Sequence, residues 1–223
     1  MDIKKNEGFT LIELLIAMGI AVLVMAGVYY TFHTQQKSYI LQEDYSALQQ
    51  NIRSAMYFME KEIRMAGCDP TDDAKSRVET FNAGSIRFTM DLVDNDGNSV
   101  SDGDVDDEGE DITYTLDAVE RQIERDSNGP ATPPGGQPIA ENIDALQFYY
   151  LDSDGSETGS RERIRSVQIA VVARTNQATR GYTNNDTYQV TLPDGTTQLV
   201  LGPQNDHFHR RLLTTVIRCR NLN

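Results

Sequence analysis

Between Leu14 and Phe32 the chain carries no charged residue. A run of that length suits one helical pass through a hydrocarbon core about 30 Å thick. A short polar segment, residues 1–8, precedes it and holds Lys4 and Lys5. Two features separate it from an ordinary secretory signal. The boundary between polar and apolar sequence falls at Gly8, at the start of the run, whereas a secretory signal is cut beyond its apolar region at small residues. Glu13 also stands within the apolar stretch, where an acidic side chain costs about 3 kcal/mol even on lenient insertion scales. A cost of that size calls for a partner.

Gly8-Phe9-Thr10-Leu11-Ile12-Glu13, in register ahead of an uninterrupted apolar span, resembles the processing motif of type IV prepilins and of the pseudopilins of type II secretion. The resemblance implies that a prepilin peptidase/methyltransferase cuts between Gly8 and Phe9 and methylates Phe9. It also implies that Glu13, the fifth residue after the cut, is the carboxylate used in subunit assembly. Elementary chemistry agrees. The cut leaves a cationic amine at the start of a helix, and Glu13 lies one turn later on the same face. A carboxylate isolated in lipid is driven to become neutral or to find an opposite charge. Tyr30 stands where many major pilins carry a proline, which argues against the bulk filament subunit.

The chain as a whole is acidic, with 34 Asp and Glu against 20 Lys and Arg. No nucleic-acid partner is expected, because phosphate binding needs clustered basic residues. Cys68 and Cys219, the two cysteines, fit an oxidising compartment, where they form either a disulfide or two separately buried thiols. Lys4 and Lys5 before the span, with Glu43 and Asp44 soon after it, place the leader in the cytoplasm. The expectation is a single-pass inner-membrane protein with its head in the periplasm, carried later to the pilus or cell surface.

Beyond Phe32 the helical period continues. Leu41, Tyr45, Leu48, Ile52, Met56, Met59, Ile63 and Ala66 recur at three- and four-residue steps as one apolar stripe. No proline interrupts residues 9–69, and Gly67 offers a stop. The pattern predicts a helix of about 58 residues, about 87 Å long at 1.5 Å per residue. The organisation follows: leader 1–8, membrane half of the helix 9–32, amphipathic half 33–67 and β-rich head 68–223.

After Pro70 the period changes to two. Ser85 to Leu92 and Asp111 to Asp117 alternate as half-buried strands. Ile143 to Leu151, Ile164 to Ala173, Tyr188 to Leu192 and His209 to Arg220 are further strand candidates. In the fourth of these, Val167, Ile169, Val171 and Ala173 form the inward face. Asn128 to Pro138 and Asn176 to Asp186 read as loops. A long helix followed only by strands gives an α+β fold, a pilin-like helix packed on an antiparallel sheet.

The size of the head, Gly67-Cys68 at the end of the helix, and the closing Arg210-Arg211-Leu212-Leu213-Thr214-Thr215 to Cys219-Arg220-Asn221 resemble PilW-type minor pilins. The resemblance implies a subunit of a type IV pilus or of its initiating tip complex. Its partners would be other minor and major pilins, met through the helix, and the inner-membrane assembly platform. A J-type pseudopilin of a type II secretion system shares the same anchor. A membrane-anchored binding or adhesion module at a filament tip is a third reading.

One stretch stands apart. From Asp94 to Asp111 there are nine carboxylates and no lysine or arginine, and the stretch joins two strands that would otherwise make a tight hairpin. Carboxylates alternating with glycine suit Ca²⁺, which takes six to eight hard oxygens. Asp94, Asp96, Asp102 and Asp104 are the candidate ligands, although the EF-hand register fails; the other reading is a solvated acidic loop. No cofactor is otherwise required. His207 and His209 fall on one side of a strand without an acidic or cysteine ligand at metal-site spacing. Arg210, Arg211, Arg218 and Arg220 read as a solvated strip on a strand face, with a basic strip against an acidic neighbour as the other reading. No nucleophile elbow, P-loop or dinucleotide fingerprint is present, so no enzyme activity is expected.

Overall fold

The computed structural model describes residues 9–94, 97–98, 100–127 and 136–222. The chain divides into two compact units, Met1–Tyr45 and Ser46–Asn223. Helix α1, Leu11–Ile63, begins in the first and ends in the second.

In the first unit every large apolar side chain from Leu11 to Phe32 is more than half exposed. Lipid or other apolar helices can cover such a surface. The hydroxyls in and just after this stretch are satisfied within the helix: Thr31 donates to the Gly27 carbonyl at 2.9 Å and Thr34 to that of Tyr30 at 3.0 Å. Neither hydroxyl is therefore carried unpaired into an apolar environment.

In the second unit the stripe becomes a core. Leu48, Ile52, Ala55, Met56, Met59 and Ile63 are buried. The helix stops four residues before Gly67, in a tightened turn closed by Met65 N–H to Glu62 and Ala66 N–H to Ile63. Gly67 has φ +77° and donates to Thr89. That conformation favours glycine, and a Cβ there, 2.6 Å from the tip of the Leu222 side chain, would also displace that side chain.

The strands form three antiparallel sheets instead of the single sheet expected. The first is a meander of β1 (Val78–Asn82), β2 (Ser85–Thr89), β3 (Asp111–Asp117), β4 (Gln122–Asp126) and β5 (Gln137–Ala140), in that order. The second has the order β10-β7-β6, from Arg210–Arg218, Ser166–Arg174 and Ile143–Leu151. The third is the hairpin of β8 (Tyr188–Thr191) and β9 (Thr197–Leu201). Strands β1, β4, β5 and β9 were absent from the sequence reading. β4 holds a single fully buried apolar residue, Ile123, among charged ones, and β5 contains Pro138.

The helix stripe packs with Ile86, Phe88, Ile112 and Tyr114 of the first sheet, and with Phe148, Val167, Ile169, Val171 and Ile217 of the second. The expected inward face of β7 is buried. Its opposite face is buried too: Ala170 and Val172 meet Val190, Leu192 and Val200 of the β8–β9 region. Even Gln168 is enclosed, with its amide donating to the Thr191 carbonyl at 3.2 Å.

Two charged networks fasten these layers. Glu62, near the end of α1, accepts the Tyr114 hydroxyl and pairs with Arg125 at 2.9 Å, which links the helix to β3 and β4. Burial and the Glu62 charge push the Tyr114 phenol upward. The second network corrects the sequence reading of Arg210. This side chain does not belong to a solvated strip; it is 1 % exposed and pairs at 2.7 Å with Asp144, itself 2 % exposed. It also forms a fork with Asp206 at 2.6 and 2.5 Å. Its neighbour Arg211 is exposed, as expected.

Candidate functional site

Phe9 and Thr10 precede α1, and Phe9 is 93 % exposed. The Thr10 backbone N–H and hydroxyl both donate to Glu13 Oε2, at 2.9 and 2.8 Å, while Glu13 N–H donates to the Thr10 hydroxyl at 3.3 Å. This is a reciprocal capping box, in which Thr10 and Glu13 satisfy donors the first helical turn leaves open. Its signature, threonine followed three residues later by glutamate, is present in the sequence and was missed there. Glu13 thus has a partner within its own chain, and its carboxylate is turned back toward the residues that follow Gly8. Gly8 lies outside the described residues.

Farther along, β2 and β3 pair in register and the acidic stretch joins them. Asp91 and Glu110 are fully buried within it. Asp91 accepts from the Thr71 hydroxyl at 3.1 Å and from the N–H groups of Asp102 and Gly103 at 3.2 Å. Glu110 Oε1 accepts from the N–H groups of Leu92 and Val93. Over this base the structure gathers Asp102, Asp104 and Asp107, with one carboxylate oxygen from each lying within 4.8 Å of the others. Of the four candidate ligands from the sequence, Asp102 and Asp104 are therefore brought together. Asp94 instead binds the N–H and side-chain amide of Asn98, and Asp96 lies outside the described residues. Asp107 and Glu110 were not named in advance. Burial first, and then neighbouring aspartate charges, push both carboxyls above their ordinary range.

The expected Cys68–Cys219 disulfide is not formed; both are free thiols. Cys219 packs in the core as a small apolar residue, while Cys68 is half-buried at its margin. Hydrogen bonds hold the last strand to the end of the helix instead, from Arg220 N–H to Arg64 and from the Asn221 amide to Met65. Burial pushes the Cys219 thiol up to about 12. Burial, aided by Asp91 and Asp69, also raises Cys68. The imidazoles of His207 and His209 are engaged locally: His207 contacts the Tyr182 carbonyl and His209 stacks on the Tyr182 ring.

An apolar helix that opens on a capped glutamate and ends as the core of a β-rich head defines the class of type IV pilin-like proteins. The fold of a type IV-like pilin from Thermus thermophilus aligns with a TM-score of 0.56 over 79 % of this chain and 98 % of that one, at 14 % identity. The profile of the type IV pilus-assembly protein W family matches residues 109–221, about half of the chain, and a prokaryotic N-terminal methylation motif matches residues 3–29. The chain belongs to the type IV pilus-assembly protein W (PilW) family. It is also similar to the pilin-like protein PilA3 of Thermus thermophilus, at 28 % identity over 193 residues, covering 74 % of this chain and 78 % of that protein. Family and fold suggest a structural protein without catalysis, which interacts with other pilins and the assembly machinery.

Proposed function

We propose that this chain is a minor pilin, anchored in the inner membrane and cut between Gly8 and Phe9. It is then methylated on Phe9 and incorporated in a type IV pilus or its initiating tip complex. The observation that carries this reading is the long apolar helix face left uncovered by the chain, headed by a glutamate turned toward the proposed cut. In the membrane that face is covered by lipid. In a filament it is covered by the helices of other pilins, so apolar burial is kept while the neighbours change.

Glu13 sets the register of assembly. Its carboxylate neutralises the new amine of an adjacent subunit, at the positive end of the helix where an anion is favoured. The prepilin peptidase/methyltransferase, other minor and major pilins and the inner-membrane platform are the partners this requires. The head remains on the periplasmic side until extraction.

The test is immunodetection of the protein in sheared surface filaments beside the membrane fraction, with N-terminal sequencing of each band. Mature chain beginning at Phe9 in the filaments supports the proposal. Mature chain confined to the envelope points to a secretion pseudopilin, and an uncut N-terminus in both fractions overturns the processing site.

A further inference from the structure

The connection between β2 and β3 concentrates negative charge. Basic residues are absent from the sequence between Arg87 and Arg121, while ten carboxylates run from Asp91 to Asp111. Arg87 is engaged by Asp111, in a fork with N–O distances of 2.8 and 2.5 Å. Among the described residues nothing comparable reaches the buried end of the loop. Glu110 is 1 % exposed, and its Oε2 is buried without a hydrogen-bond partner. Asp107 likewise has a carboxylate oxygen, Oδ2, removed from water without a donor.

Glu110 is held between the Leu92–Val93 backbone and the turn that returns its own N–H to the Asp107 carbonyl at 3.2 Å. It is close enough to Asp91 and Asp107 to feel both charges. A buried carboxylate is tolerated when it is paired, protonated or bound to a metal. Here the unpartnered oxygens belong to the same short segment as Asp102, Asp104 and Asp107, which already present oxygens within 4.8 Å of one another.

We infer that Asp102, Asp104 and Asp107, backed by Glu110, form a binding site for one calcium ion. The donors are all carboxylate oxygens, which select a hard cation over the metals preferred by imidazole or thiolate. Calcium accepts six to eight oxygens in irregular geometry, so backbone carbonyls and water complete the shell in an irregular loop. Magnesium demands a tighter octahedron and keeps its water. Gly103, with φ +98°, lets the backbone turn between Asp102 and Asp104 above the Asp91 carboxylate.

The site is tested on the full-length chain in detergent micelles, stripped with chelator and titrated with calcium chloride by calorimetry and thermal melting. One calcium per chain is expected, with a melting temperature raised by about 5 °C or more when calcium reaches about 100 times its Kd. Asp104→Asn changes an exposed side chain, so the variant folds, and it weakens binding about tenfold or more. Asp107→Asn does the same, and Glu110→Gln weakens binding while raising the melting temperature of the calcium-free chain. A melting temperature that calcium does not move, or an unchanged Kd in both Asp104→Asn and Asp107→Asn, overturns the site. An equal response to magnesium overturns it as well, since that is screening of a charged loop.

Discussion

Replacing Arg210 by methionine tests the charged network most directly. The substitution roughly preserves the buried stem and removes the guanidinium, which binds Asp144 at 2.7 Å and Asp206 at 2.6 and 2.5 Å. Asp144, 2 % exposed, then keeps Arg121 and a distant contact with Arg174 at 3.9 Å. Breaking a buried pair from one side costs about 3–5 kcal/mol. The remaining contact with Arg121 places the loss at the low end, and Asp206, 31 % exposed in its side chain, rehydrates at little cost. A destabilisation of about 3 kcal/mol is expected, or a fall of about 6–12 °C in melting temperature for a head of this size.

The measurement is chemical and thermal denaturation of full-length chain in detergent. A cycle through Asp144→Asn and the double variant should give a coupling of about 2 kcal/mol or more. Arg211→Ala, one residue away and exposed, should stay within about 0.5 kcal/mol of wild type. If Arg210→Met matches Arg211→Ala, or if the two single losses simply add, the pair does not fasten the head and the reasoning fails.

Other outcomes follow from the same chemistry. Glu110 and Asp107 are shifted upward, so the native head binds more protons than the unfolded chain between the ordinary carboxylate range and neutrality. Calcium-free chain should therefore melt higher at pH 5.5 than at pH 7.5. Below about pH 4 the trend should reverse as Asp206, held low by its hydrogen bonds to Arg210, is protonated. A flat profile between those two pH values would remove the acidic loop as a source of strain. Both cysteines should alkylate once the chain is denatured without reductant, and Cys219 should resist iodoacetamide in the native state; a linked peptide on mass mapping would contradict the free thiols. Glu13→Ala should be processed normally yet be depleted from sheared filaments, and a normal filament content would refute its assembly role.

The fold was legible where one period governed a long segment. The stripe from Leu48 to Ile63 and the alternation in β2 and β3 are set by local spacing, and those elements lie where the pattern put them. Arg210 was misread because its partner, Asp144, comes from a strand 66 residues earlier. A charged residue on an alternating strand looks solvated until topology supplies its counter-ion. β4 escaped notice for a related reason: Arg125 enters the interior only because Glu62 waits on the helix. The acidic loop announced itself by composition, but composition alone could not separate Asp94, used by a turn, from Asp107, folded over Glu110. The capping box of Thr10 and Glu13 was readable and was overlooked in favour of the longer motif containing it.

The double burial of β7 bears on how the chain is made. Its sheet is complete only when β10 arrives, and its second face is closed only by the β8–β9 hairpin between them. On the order of 44 residues separate the end of β7 from the end of β10, or about 2–9 s of synthesis at 5–20 residues per second. Throughout that interval a nine-residue strand, apolar on both faces and with one open edge, is already made. The interval in which β8 to β10 are being synthesised is thus the one in which this strand is most exposed to wrong pairing, after the helix and first sheet have been made.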